Sequence, residues 1–191
     1  MSKNRRLLFG VVIAFLLGLP GCSGVRVSQD YSETADYSGI KTYAWQFDTQ
    51  EKSGDLRLDN PLRDRRIRSA VDQVLSEKGY RRAGDAVPDV YIAYHEELYS
   101  RLERDTGGGG FVFGFGGFGH PGGLGFSAGN VVSDYDESLL VIDIIDAASG
   151  KLIWRGNGTR PFLQHADPQK LTRRIHETVQ KILSQFPPRR D

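Results

Sequence analysis

Residues 138–156 read Ser-Leu-Leu-Val-Ile-Asp-Ile-Ile-Asp-Ala-Ala-Ser-Gly-Lys-Leu-Ile-Trp-Arg-Gly. The first nine place apolar side chains on both faces of an extended chain, the pattern of a central strand covered on both sides. Asp146 to Lys151 supplies turn residues, and Leu152 to Gly156 returns as a hairpin partner. A turn of this kind also occurs in blades of quinoprotein-type propellers, but a propeller needs several copies and the chain has one. The stretch therefore predicts an antiparallel hairpin in a sheet, with Trp154 packed into the core.

Working outward, Pro88 opens another strand, Asp89 to Tyr99, in which Val90, Ile92 and Tyr94 alternate with Tyr91, Ala93 and His95. Val25 to Tyr31 and Ile40 to Phe47 are rich in β-branched and aromatic residues and read as strands as well. Two helices are marked by their starts. Asn60-Pro61 and Asp167-Pro168 each pair an N-cap residue with a proline at the first helical position. Ile67, Ala70, Val71, Val74 and Leu75 follow the first at helical spacing, with Gly79 as the stop. Leu171, Ile175, Val179, Ile182 and Phe186 follow the second, ended by Pro187-Pro188. The predicted class is α+β: a mostly antiparallel mixed sheet of about five or six strands, two amphipathic helices on one face, and a Gly/Phe-rich insertion.

The N-terminus has a different character. Lys3, Arg5 and Arg6 precede an apolar run from Leu7 to Leu17, too short to cross a bilayer comfortably and typical of an export signal. Leu19-Pro-Gly-Cys22 resembles the bacterial lipobox. That resemblance implies cleavage between Gly21 and Cys22, diacylglycerol on the Cys22 sulfur and an acylated new amine. Cys22 is the only cysteine, and an odd thiol in an exported chain calls for such an explanation. Ser23 next to it implies sorting to the outer membrane, facing the periplasm. Removing residues 1–21 takes away three positive charges and no acid, so the net charge goes from +1 to −2 over the remaining 170 residues. Such a balance argues against nucleic acid as a partner, and the charges of residues 63–68 read as a solvated helix face. The expected organisation is a signal peptide at 1–21, a lipid-anchored tether at 22–24, one domain at 25–186 and a tail at 187–191.

Candidate chemistry is sparse. Gly114-Phe-Gly-Gly-Phe-Gly119 matches G-x-G-x-x-G, but His120-Pro-Gly-Gly123 behind it cannot open the helix that would bind pyrophosphate. No Gly-Lys-Ser/Thr follows any glycine run. His95, His120, His165 and His176 are scattered without zinc spacing. His95 with Glu96 and Glu97 is a weak metal or acid–base candidate, since His95 and Glu97 share a strand face. Asp134, Asp136 and Glu137 offer calcium-type oxygens without the rest of an EF-hand loop. No cofactor and no catalytic residues are expected. Residues 107–130 contain twelve glycines with Phe111, Phe113, Phe115, Phe118, Leu124 and Phe126, and no fixed charge. They read as a connector first and as candidate partner or membrane contacts second.

Several motifs then combine. Asp30-Tyr31, Asp36 to Trp45, Asn60-Pro61 with Ile67, Lys78-Gly-Tyr80, Pro88-Asp-Val90 and Leu152 to Gly156 stand in an order that resembles the bacterial envelope lipoproteins of domain of unknown function 4136. The resemblance spans residues 25–186 and implies an envelope address and this fold, but no activity and no site residues. The functional expectation is a non-enzymatic, lipid-anchored interaction or envelope-maintenance module, with a membrane and an envelope protein as partners. The alternative is a small-ligand binder or enzyme with a polar site on the sheet.

Overall fold

The computed structural model describes residues 24–104 and 132–189. Helix α1 (Pro61–Glu77) begins where the cap signal places it: Asn60 has extended backbone and its side chain accepts from the Leu62 N–H at 2.8 Å. It buries Ile67, Ala70, Val71, Val74 and Leu75, and also Arg63. Gly79 ends it at a φ of +91°, a conformation that favours glycine. Helix α2 (Pro168–Leu183) starts likewise, Asp167 accepting from the Lys170 N–H. Its stripe buries Ile175, Val179 and Ile182, and continues past the last turn to Phe186. That ring packs edge-on against Tyr37 and Trp154 and tilted against Tyr80.

The helices lie on a six-stranded mixed sheet made of β1 (Arg26–Tyr31), β2 (Thr42–Trp45), β3 (Arg81–Arg82), β4 (Val90–Arg104), β5 (Val132–Asp146) and β6 (Leu152–Pro161). Its order is β1-β6-β5-β4-β2-β3. The four strands from β1 to β4 along that order pair antiparallel, whereas β2 runs parallel to β3 and β4. β5 has neighbours on both sides, as its two-sided apolar content predicts. The turn after it closes through Asp146, which accepts from the N–H and hydroxyl of Ser149, with Gly150 at φ +68°.

One sheet face meets the helices. It presents Tyr43, Val90, Ile92, Tyr94, Leu140, Ile142, Ile144 and Trp154, all buried. Trp154 is fully enclosed, as expected, and its indole N–H donates to Gln29 on the neighbouring edge strand. β1 and β2, consecutive in sequence, are four strands apart, because the chain between them crosses under the sheet rather than turning as a hairpin. Tyr37 pins that crossing, donating its hydroxyl to the Ile153 carbonyl at 2.6 Å.

Asp89 joins β2 to β4. One carboxylate oxygen accepts from the Lys41 N–H at 2.9 Å, and from the Thr42 N–H and hydroxyl at 2.8 Å each. These donors, the Lys41 N–H first, hold the Asp89 carboxyl below the usual carboxylate range. A lowered folded value means stability that is present above the ordinary aspartate pKa of about 3.9 and lost as pH falls through the folded one. Asp89→Ala is therefore expected to lower the melting temperature at neutral pH. The gap to wild type should narrow when the melts are repeated in strongly acid buffer.

Candidate functional site

The sheet face away from the helices carries the polar residues that the strand pattern singled out. His95 and Glu97 do share it, and Glu96 points the other way, into the helix layer. Across the strands, Ala93 faces Asp143, which faces Arg155. The Arg155 guanidinium donates to both Asp143 oxygens, at 2.7 and 2.6 Å, and this pairing keeps it firmly protonated. His95 Nε2 stands 3.8 Å from Asp143, too far for a hydrogen bond, while Nδ1 is 3.3 Å from Glu51. Asp143 is thus committed to Arg155 rather than orienting His95 as a base. Glu97 forms no hydrogen bond or ion pair with His95 among the described residues.

The acidic trio divides in the same way. Asp136 accepts from Arg57 at 2.6 Å, while Glu137, on the opposite face of the same strand, is fully buried and accepts from Arg26 and from the Tyr99 hydroxyl. Adjacent strand residues point apart, so the two carboxylates cannot converge on one cation. The Asp134 side chain lies outside the described residues. Among those residues no three His, Cys, Asp or Glu side chains gather as a metal site, and no helix is long and apolar enough to cross a membrane. His165 is exposed on the loop before α2, and His176 sits between the helices beside Leu62, Arg65, Arg66 and Thr172. Cys22, Gly21, His120 and the phenylalanines Phe111, Phe113, Phe115, Phe118 and Phe126 lie outside the described residues.

A second polar group, beneath α1 and α2, escaped the strand reading. Arg63 donates to both oxygens of Glu96, at 2.7 and 2.6 Å, and the pair is almost fully buried. Phe162 closes over it, with the Arg63 and Arg57 guanidinium carbons 5.9 and 5.6 Å from the ring centre. Nearby, Arg160 donates to the Arg174 carbonyl and the Thr178 hydroxyl, and burial lowers its pKa. Its Nε has no protein partner. The cavity that Arg63, Glu96, Ser138, Arg160 and Phe162 line measures about 30 Å³, room for a water or two rather than a metabolite. The signal for this group was present in the sequence: Arg63 falls four residues before Ile67, on the apolar stripe itself.

A third cluster ties β2 to α1. One Asp72 oxygen accepts from the Tyr43 hydroxyl and the Trp45 indole, and Arg68 lies over the Trp45 ring at 4.5 Å. Burial and the Asp72 charge raise the Tyr43 pKa, which keeps that phenol neutral. In these clusters Asp143 is held by Arg155, Glu96 by Arg63 and Asp72 by Tyr43 and Trp45, and none positions a nucleophile next to a free base.

Fold and site together define a two-layer α+β domain, with helices on one sheet face and polar side chains, among them the Asp143–Arg155 pair, on the other. The chain belongs to the DUF4136 family, described as a domain of unknown function, whose profile matches residues 27–188. No curated protein matches it. Among solved structures, it is similar to a PDZ domain protein from Parabacteroides distasonis, with 13% identity and a TM-score of 0.49. That match covers 87% of this chain and only 37% of the other, so the chain spans little more than a third of that protein. It is also similar to PelC from Paraburkholderia phytofirmans, described as a dodecamer. In two crystal forms the identity is 15% and 16%, the TM-score 0.48 and 0.47, and the coverage 87% and 86% of this chain and 99% of the other.

Proposed function

We propose that the protein is a lipid-anchored, non-enzymatic module of the outer membrane that faces the periplasm and serves envelope interaction or maintenance. The observation that carries this reading is the closeness of anchor and fold. β1 begins at Arg26, so only Ser23, Gly24 and Val25 separate it from the cysteine of the lipobox. A folded domain tied that closely to acyl chains works at a bilayer surface, and several chains at about 0.8 kcal/mol per buried methylene hold it there stably. The absence of catalysis is part of the proposal, supported by the pairing of Asp143 with Arg155 and of Glu96 with Arg63. The rival reading, a small-ligand or catalytic site on the sheet, draws on His95 and Glu97 sharing the open face near Asp143.

The Gly/Phe-rich segment 107–130, inserted between β4 and β5, is the proposed contact element. Its deletion is expected to leave the circular dichroism spectrum and the melting temperature close to wild type, as for a connector in which twelve of 24 residues are glycine. In-cell cross-linking should lose the adducts seen with the full chain. An unchanged adduct pattern would remove the segment from the function.

A further inference from the structure

The charges at positions 63–68 do not form one surface. Arg63 is taken up by Glu96, and Arg68 by Asp64 at 2.7 Å. Arg65 and Arg66 have no carboxylate partner among the described residues. Helical spacing sets both on one stripe of α1 with Ser69, Ala70 and Gln73. Across from that stripe stand Thr172 and His176 of α2, and the groove between them measures about 300 Å³, the size of a small-molecule pocket. From Arg65 to Gln73 it runs about 12 Å. Ala70, buried at its side, contributes only a methyl group and so leaves the space open.

The chemistry of this lining is one-sided. Arg66 donates through Nε to the Thr172 hydroxyl at 3.1 Å, and its terminal nitrogens are unengaged among the described residues. Arg65 makes no hydrogen bond or ion pair there. His176 Nε2 is shut off from bulk water and has no protein partner, and a buried polar atom of that kind is ordinarily met by a bound water or ion. No lining residue is acidic. The acids of α1 are engaged elsewhere: Asp64 accepts from Arg68 and Tyr94, and Asp72 from Tyr43 and Trp45. Glu77 reaches only the Gln73 amide, at the end of the groove away from the arginines. Two guanidiniums side by side suit a ligand with full negative charge and several acceptor oxygens, and the planar fork of arginine matches phosphate oxygens two at a time. We infer that the α1–α2 groove is a binding site for a phosphate group, held by Arg65 and Arg66 with the Ser69 and Thr172 hydroxyls beside it. The length toward Gln73 takes the organic part of a phosphate ester. A phosphorylated small molecule and a phospholipid headgroup both present this chemistry. The site does not depend on acylation of Cys22.

The test is calorimetric titration of the full-length protein, in non-ionic detergent micelles, with glycerol 3-phosphate and with dioctanoyl phosphatidic acid. Saturable binding at one site is expected. Binding of glycerol 3-phosphate shows that a soluble ester suffices, and binding of phosphatidic acid alone assigns the site to a lipid headgroup. Arg65→Gln combined with Arg66→Gln should weaken binding about tenfold or more, the loss that follows from removing charge-assisted hydrogen bonds. Arg65→Gln alone removes no contact of the fold and should already weaken it severalfold, with the melting temperature of the free protein unchanged. Arg173→Gln, an exposed α2 charge outside the groove, should bind like wild type. Three results overturn the site: no binding of either probe, an equal loss in Arg173→Gln, or acetate bound as tightly as the phosphate ester.

Discussion

Glu96→Leu is expected to lower the unfolding free energy by about 3–5 kcal/mol, the cost of leaving one partner of a buried ion pair uncompensated. Arg63 donates two short hydrogen bonds to Glu96 with almost no exposure to water, so the variant strands a buried guanidinium without its counter-charge. Arg63→Met combined with Glu96→Leu should recover most of the loss, because a well-packed apolar pair is often as stable as the ion pair it replaces. Urea unfolding of the two single variants and the double variant measures the coupling directly. A double variant no more stable than Glu96→Leu alone would show that the pair is not the source of the loss.

The second large effect concerns a glycine. Gly156 lies on β6 beneath α2, where an added Cβ would stand 2.2 Å from the Trp154 ring and 2.5 Å from Ile182, both fully buried. Overpacking of a dense core costs about 1–3 kcal/mol, and Gly156→Ala is expected at the upper end because the indole has nowhere to move. At Gly158 the nearest atom is the flexible end of Ile182, at 2.7 Å, so Gly158→Ala should cost less. Thermal melts of the two variants check the order. The two glycines are spacers that let α2 approach the sheet.

These same residues show where the sequence was legible. Both helix starts could be read because a cap and a proline are local signals that need no tertiary partner. The 138–156 hairpin could be read because two-sided apolarity and turn chemistry agree. Arg63 was hidden by its neighbours: among the charges at positions 63–66 and 68, only its position on the stripe marks it as buried. The extension of β6 through Gly156 and Gly158 was hidden because glycine reads as a turn, whereas here it answers to a helix distant in sequence. β3 has no apolar pattern at all. Arg81 and Arg82 are extended because the Arg81 and Ala83 N–H groups find the Lys41 and Tyr43 carbonyls. Likewise the parallel pairing of β2 with β4 follows from α1 crossing between them, a geometry no strand reveals by itself. On the open face, the shared placement of His95 and Glu97 was legible from period two. The engagement of Asp143 with Arg155 was not, because it joins residues across a hairpin whose register is set by the turn.

In the proposed reading, envelope address and membrane proximity both depend on acylation of Cys22. Metabolic labelling with palmitate in an exporting bacterial host, followed by membrane fractionation, tests it most directly. Label is expected on the wild-type chain, none on Cys22→Ser, and release of the variant from the membrane fraction. Label retained by Cys22→Ser, or a wild-type chain that is exported without label, would contradict it.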